Sequence, residues 1–226
     1  MGKMRYSAHM ERVSEGLRSL GISHGFSTGR EGDYRTVTLP SGVATAKQVH
    51  GTHAIWAVAP GRHPEEADAV LTAKGGGAGV LTADCVPILL VDPVAGLAAA
   101  VHAGWRGTLA NVIQSSVSAL VAKGADPGRM SAAIGPCIRA CCYQVSEEMI
   151  SDFSHAFGPA VARPGRLLDL AHANRQRLAA AGISEKKISD LGECTRCTRD
   201  GDVPRYFSHR RDATPARLLS WIRLAG

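Results

Sequence analysis

The sequence predicts an α/β (α+β) fold, a single layered domain over residues 1–226 with a mixed β-sheet core flanked by helices. Three observations predict it. Short apolar runs of strand length are interleaved with segments of helical periodicity, glycine-rich turns separate them, and no repeat or low-complexity linker divides the chain. With 226 residues, 45% hydrophobic and 20% charged, the chain has the length and balance of one large globular domain. Residues 1–10 are expected to be a disordered tail.

The elements follow in order. "AGVLTAD" and "CVPILLVD" read as buried strands that part at the Asp84-Cys85 junction, and "GLAAAVHAGW" reads as a third, each short, apolar and bounded by turn residues. "SAAIGP" at 131–136 is a fourth. After Gly107 the period changes: Leu109, Val112, Ile113, Ser116, Val117, Leu120 and Val121 recur at three and four residues, one face of a helix that Gly124 stops. Further helices are expected at 146–157, at 168–181 with Gly182 in C-cap position, and at 215–224. The last rests on Thr214-Pro215 as an N-cap followed by proline at the first helical position.

Composition also excludes. No span of about 18 apolar residues is present, and "MGKMRYSAHMERV" has early positive charge without the apolar core of a secretory signal. No membrane partner is therefore expected, and the expected compartment is the cytoplasm, where six cysteines serve as thiols, metal ligands or catalysts. The net charge of +6 and pI ≈ 9.2 are spread along the chain with acids between. With 5% aromatic residues and no binding motif, no nucleic-acid partner is expected. The densest basic patch, "HRRDATPAR" at 209–217, suits a phosphate, a carboxylate or a helix end.

Two reactive side chains sit at apolar strand ends next to turns: Cys85, and His102 before "AGWRG". His50 in "KQVHG" occupies a third such junction. Two histidines and a cysteine form a set that zinc accepts while keeping a fourth position open. Separations of 35 residues from His50 to Cys85 and 17 from Cys85 to His102 are no local metal signature. The same residues permit a Cys-His nucleophilic hydrolase, a copper site, or a non-catalytic zinc-binding or interaction role. Copper is less favoured, because no Met follows Cys85 before Met130 and no His-x-His pair is present. Cys194-Thr-Arg-Cys197 is a C-x-x-C that Cys137, Cys141 and Cys142 could complete as a four-cysteine site. Cys141 and Cys197 are instead expected as buried small residues or free thiols.

"KQVHG", "DAVLT", "GVLTADCVPILLVDP", "AAAVHAGWRGTLANVI", "AAIGPCIRACCYQVSEEM", "LDLAHANRQRLAAAGI", "ECT" and "YFSHRRD", in this order, resemble the laccase-domain family. That family is also described as polyphenol oxidase-like, as a purine nucleoside phosphorylase family and as peptidoglycan editing factor. The resemblance implies zinc held by His50, Cys85 and His102. It implies phosphorolysis of adenosine, inosine, guanosine and 5'-methylthioadenosine, and adenosine deamination through a metal-bound water, so purine nucleoside and phosphate are the expected small-molecule partners of a monomer or homodimer. Candidate phosphate ligands are Arg106 and Arg30, since planar guanidinium matches phosphate bidentately. Asp84 is the candidate catalytic carboxylate or ligand-orienting acceptor, and Gln48 a candidate contact to a ligand or a purine edge. The alternative is peptidoglycan editing of muropeptide precursors carrying a wrong first amino acid. The chain departs from the pattern in "HGFSTGREGDY", which moves an arginine one place to Arg30. It also shortens the segment before "QVHG" and places His209 where the family has an aromatic residue.

Overall fold

The structure, a computed structural model, describes residues 12–226, so the expected tail at 1–10 lies outside the described residues. Two mixed sheets form the centre. The six-stranded sheet runs in the order Ile188–Asp190, Ser131–Ile134, Val86–Asp92, Leu97–Ala103, Ala69–Ala73, Ala54–Trp56; its outermost pairs are parallel and the rest antiparallel. The five-stranded sheet runs Ser23–Phe26, Leu218–Arg223, Gly77–Thr82, Val43–Lys47, Gly61–Glu66.

Side-chain alternation in the six-stranded sheet explains why its sequence runs read as continuously apolar. Leu89, Val91, Ala98, Ala100 and Ala133 face the other sheet, packing on Phe26, Val80 and Ile222. Ile88, Leu90, Ala99, Val101 and Ile134 face the helices, packing on Val112, Val117, Leu120, Phe153 and Leu178. Both faces are covered, so every residue of Val86–Asp92 is buried. The layers are thus sheet, sheet and helices.

The expected strands are present, with one topological addition. Gly77–Thr82 and Val86–Asp92 are consecutive in sequence but belong to different sheets. The chain crosses between sheets at Ala83-Asp84-Cys85, with Asp84 at φ 93, in the left-handed region. The helix after Gly107 is two pieces, Trp105–Leu109 and Val112–Val121, split where Asn111 adopts φ 66 and caps the second through its side chain. Helices Glu147–Phe157 and Leu170–Ala180 form as expected, N-capped by Ser146 and Asp169.

The helix expected at 215–224 does not form. Leu218–Arg223 is a strand, antiparallel to both Ser23–Phe26 and Gly77–Thr82. Its alternation decides the matter: Ile222 enters the core between the sheets, while Leu219 and Trp221 enter a cluster with Tyr34, Leu39 and Val43. A period of two with both faces buried outweighs the local capping signal at Thr214-Pro215.

The sheets meet closely at Gly135. A Cβ there would lie 2.3 and 2.4 Å from ring carbons of buried Phe26 and 2.9 Å from Pro87. Gly135→Ala is expected to destabilise the protein by about 1–3 kcal/mol through overpacking. An unchanged urea midpoint in that variant would contradict the close approach.

Candidate metal centre

The crossing point carries the chemistry. His50 follows the end of Val43–Lys47 in one sheet, His102 lies within Leu97–Ala103 of the other, and Cys85 sits on the link between them. The ligand-capable atoms of these three residues all lie within 4.8 Å of one another. The rings of His50 and His102 meet edge to face, with centroids 4.8 Å apart. His102 is buried, Cys85 half-buried and His50 exposed, so the group opens towards solvent on one side.

Asp68 organises this group, and sequence reasoning assigned it no role. It is wholly buried at the start of the "DAVLT" strand. Its Oδ1 accepts the His50 backbone N–H at 2.9 Å and faces His102 Nδ1 at 2.7 Å. Its Oδ2 accepts the N–H groups of Val49 and Gly51 at 3.2 and 2.6 Å. Converging three successive N–H groups on one carboxylate bends the backbone and places His50 at φ 63. The contact to Nδ1 fixes the His102 tautomer and leaves Nε2 for a metal. A buried acid at the head of an apolar strand was the available signal.

The electrostatics fit a metal site. Burial pushes the Cys85 thiol up, but the facing His102 and His50 rings outweigh it and hold the thiol down at about 6. Burial pushes His102 down, and the Cys85 sulfur and Asp68 carboxylate reverse this and raise it to about 9. Burial also opposes ionisation of Asp68, yet the bonds from His102 and Gly51 keep its carboxyl below the usual range. Without a cation Cys85 and His102 form a thiolate–imidazolium pair; zinc would displace the His102 proton, leaving a thiolate and two imidazoles within one coordination radius, a donor set that zinc accepts.

Gly104 leaves room for the ligands. A Cβ there would stand 2.9 Å from His50 Cδ2 and 3.3 Å from Cys85 Sγ. Its φ of −71 suits alanine, so the strain of Gly104→Ala falls on the ligands and not on the backbone. The expected outcome is a metal affinity weaker by about 10–100-fold with little change in melting temperature, measured by competition with a chromophoric chelator.

His50, Cys85 and His102 line a cavity of ≈ 530 Å³, together with Gln48, Asp84, Tyr143 and a basic rim of Arg35, Lys47, His209, Arg210 and Arg217. Burial, with the negative charge of Cys85 behind it, pushes the Tyr143 hydroxyl up to about 12, which keeps it a neutral donor. The Arg210 guanidinium lies 5.2 Å from the Tyr143 ring centre.

The other expected site residues are placed as follows. Asp84 lines the cavity, but its Oδ1 accepts from the Thr195 hydroxyl at 2.6 Å and its Oδ2 from the Arg210 N–H at 2.7 Å. Gln48 pairs both ends of its amide with the Leu81 backbone at 2.7 Å, acting as one more rung between strands. The structure does not bring Arg30 or Arg106 to the cavity wall. Arg30 turns to Asp200 at 3.2 Å, and Arg106 lies over the Trp105 ring at 4.4 Å. Cys141 and Cys197, expected as buried small residues or free thiols, are both exposed, with sulfurs 3.7 Å apart.

Residues 30–225 match the family model described as multi-copper polyphenol oxidoreductase laccase. The chain belongs to this family. A purine nucleoside phosphorylase of Streptomyces coelicolor is 40% identical over 191 residues, which cover 82% of this chain and 76% of that protein. Adenosine deaminase RL5, from an unknown prokaryotic organism, is 38% identical over 157 residues, 65% of this chain and 58% of that protein. The crystal structure of YlmD from Geobacillus stearothermophilus superposes with a TM-score of 0.80 at 26% identity, covering 98% of both chains. The fold shared with that structure is the layered α/β arrangement described above, and relatives named as enzymes support an enzymatic role.

Proposed function

We propose that this protein is a cytoplasmic, zinc-dependent enzyme of purine nucleosides, carrying out phosphorolysis and adenosine deamination in one cavity. The observation that carries the reading is the convergence of His50, Cys85 and His102 on a cavity of ≈ 530 Å³ with an arginine-rich rim. That volume lies in the range of small-molecule sites. Relatives named for each of the two reactions support the substrate class.

His50, Cys85 and His102 would hold the metal, with Asp68 fixing the orientation of His102. Zinc bound there would supply Lewis acidity and lower the pKa of a water. The phosphate role expected of Arg30 and Arg106 passes to Arg35, Arg210 and Arg217, residues that line the cavity. His209 adds an imidazole ring to the same wall. Tyr143 donates a hydrogen bond from its neutral hydroxyl to a polar substrate group. Asp84 acts as a positioning residue, because its two oxygens hold Thr195 and the start of the Arg210 segment beside Cys85. Gln48 fixes the strand that leads to His50.

The test is incubation of purified, metal-analysed protein with adenosine and phosphate. Inosine reports deamination; adenine with ribose-1-phosphate reports phosphorolysis. Silence with every purine nucleoside, together with turnover of a serine-bearing muropeptide precursor, would replace this reading with peptidoglycan editing. Stoichiometric copper with an intense blue band would replace zinc with copper.

A further inference from the structure

A second cysteine cluster lies apart from the residues lining the cavity. The sulfurs of Cys141, Cys142, Cys194 and Cys197 all lie within 4.8 Å of one another. They come from two turns, one following Ser131–Ile134 and one following Ile188–Asp190, and these two strands are parallel neighbours. The turns are already locked together. Cys137 donates its N–H to Glu193 O at 3.3 Å, Thr195 donates to Cys137 O at 3.0 Å, and Arg139 forms an ion pair with Asp190. Cys137 itself is buried in the helix-side core and takes no part in the cluster.

We propose that Cys141, Cys142, Cys194 and Cys197 bind a second metal ion, a structural zinc with four sulfur ligands. Four sulfurs within a single coordination radius match the closed, all-thiolate sites that zinc occupies in structural roles. Cys194-Thr-Arg-Cys197 supplies two ligands from one tight turn, in which the Thr198 N–H donates to Cys194 O at 3.0 Å and the Cys194 N–H donates to Thr198 Oγ1 at 3.1 Å. Burial disfavours the Cys194 thiolate, but backbone N–H groups of Arg139, Cys197 and Arg196 directed at its sulfur reverse this and lower its pKa. Burial and the adjacent thiols push Cys141 up; burial with Cys194 and Cys142 pushes Cys197 up to about 11, against the opposing hydrogen bond with Cys141. Without a cation, four crowded sulfurs cannot all ionise; a divalent ion removes that repulsion and releases the thiol protons.

The placement gives this metal a task. Thr195, between the two cysteines of the turn, is the residue whose hydroxyl holds Asp84, and Tyr143 on the cavity wall directly follows Cys142. A metal at the cluster braces the segments that carry Thr195 and Tyr143 without touching substrate.

The full-length protein, kept reduced, loaded with excess zinc and desalted, tests the proposal by metal content. The expected result is about two zinc ions per chain in the wild type and about one in Cys141→Ser/Cys197→Ser. His50→Ala/His102→Ala should also hold about one, which separates this site from the first and keeps the outcome independent of the proposed activity. Cobalt substitution gives a second readout. Intense sulfur-to-cobalt charge transfer should persist in His50→Ala/His102→Ala and collapse in Cys141→Ser/Cys197→Ser. One zinc ion per chain in the wild type with four freely reactive thiols would overturn the proposal. So would two ions retained by Cys141→Ser/Cys197→Ser, or a wild-type Cys141–Cys197 disulfide that persists through reduction and zinc loading. Should the double serine variant fail to fold, zinc content and thiol reactivity of the wild type decide alone.

Discussion

Asp68→Asn is expected to lower stability by about 3 kcal/mol and to weaken metal binding by about 10–100-fold. The carboxylate has two oxygens and four partners, with His50 N–H and His102 on one oxygen and Val49 and Gly51 N–H on the other. An amide is close in shape but replaces one oxygen with a donor. Whichever way it is turned, two protein groups that now face an acceptor face an NH₂ group, in a position with no solvent access. The left-handed turn at His50 loses support at the same time as the His102 tautomer loses its anchor. Urea unfolding and competition with a zinc chelator measure the two effects separately. A variant with wild-type metal affinity would show that Asp68 does not orient the ligands.

Cys85→Ser is expected to lower turnover by at least ~10²–10³-fold, with folding largely intact. A serine hydroxyl stays protonated where the thiol is held near 6, so the negative ligand between two imidazoles is lost. Chelation of the wild type should produce the same loss, and zinc should restore only the wild type. The comparison separates ligand from nucleophile. Protein that keeps its activity after complete metal removal, yet loses it in Cys85→Ser, would be a thiol hydrolase.

The expected strands and three of the expected helical regions were legible because their signals are local: period, caps and glycine stops lie within each segment. Leu218–Arg223 was not legible as a strand, because what makes it one is distant. Leu219 donates its N–H to the hydroxyl of Ser27, 192 residues away, and no window along the chain contains that partner. The same limit governs the site. His50, Cys85 and His102 form a candidate set by their places at strand ends, but their separations carry no metal signature, and it is the family resemblance that implies zinc there. Asp68 was visible as a letter in "DAVLT" but not as the acceptor for residues 17 to 19 positions earlier. Arg30 and Arg106 suit phosphate by their chemistry, but neither lines the cavity; Arg30 pairs with Asp200 and Arg106 lies over the Trp105 ring. The exposed thiols of Cys141 and Cys197 show the converse. Read singly they are buried small residues or free thiols; the structure has them free and exposed, and the parallel pairing of Ile188–Asp190 with Ser131–Ile134 makes them neighbours.

The chain change of sheet at Ala83-Asp84-Cys85 has a kinetic consequence. His50 belongs to one sheet, His102 to the other, and Cys85 to the link, so neither sheet alone presents two of the three ligands in place. Closing the loops between them must precede tight metal capture, which sets site assembly late on the folding pathway. The ion therefore slows the separation of docked sheets more than it speeds their encounter. Added zinc should lengthen the unfolding half-life while leaving the refolding rate nearly unchanged.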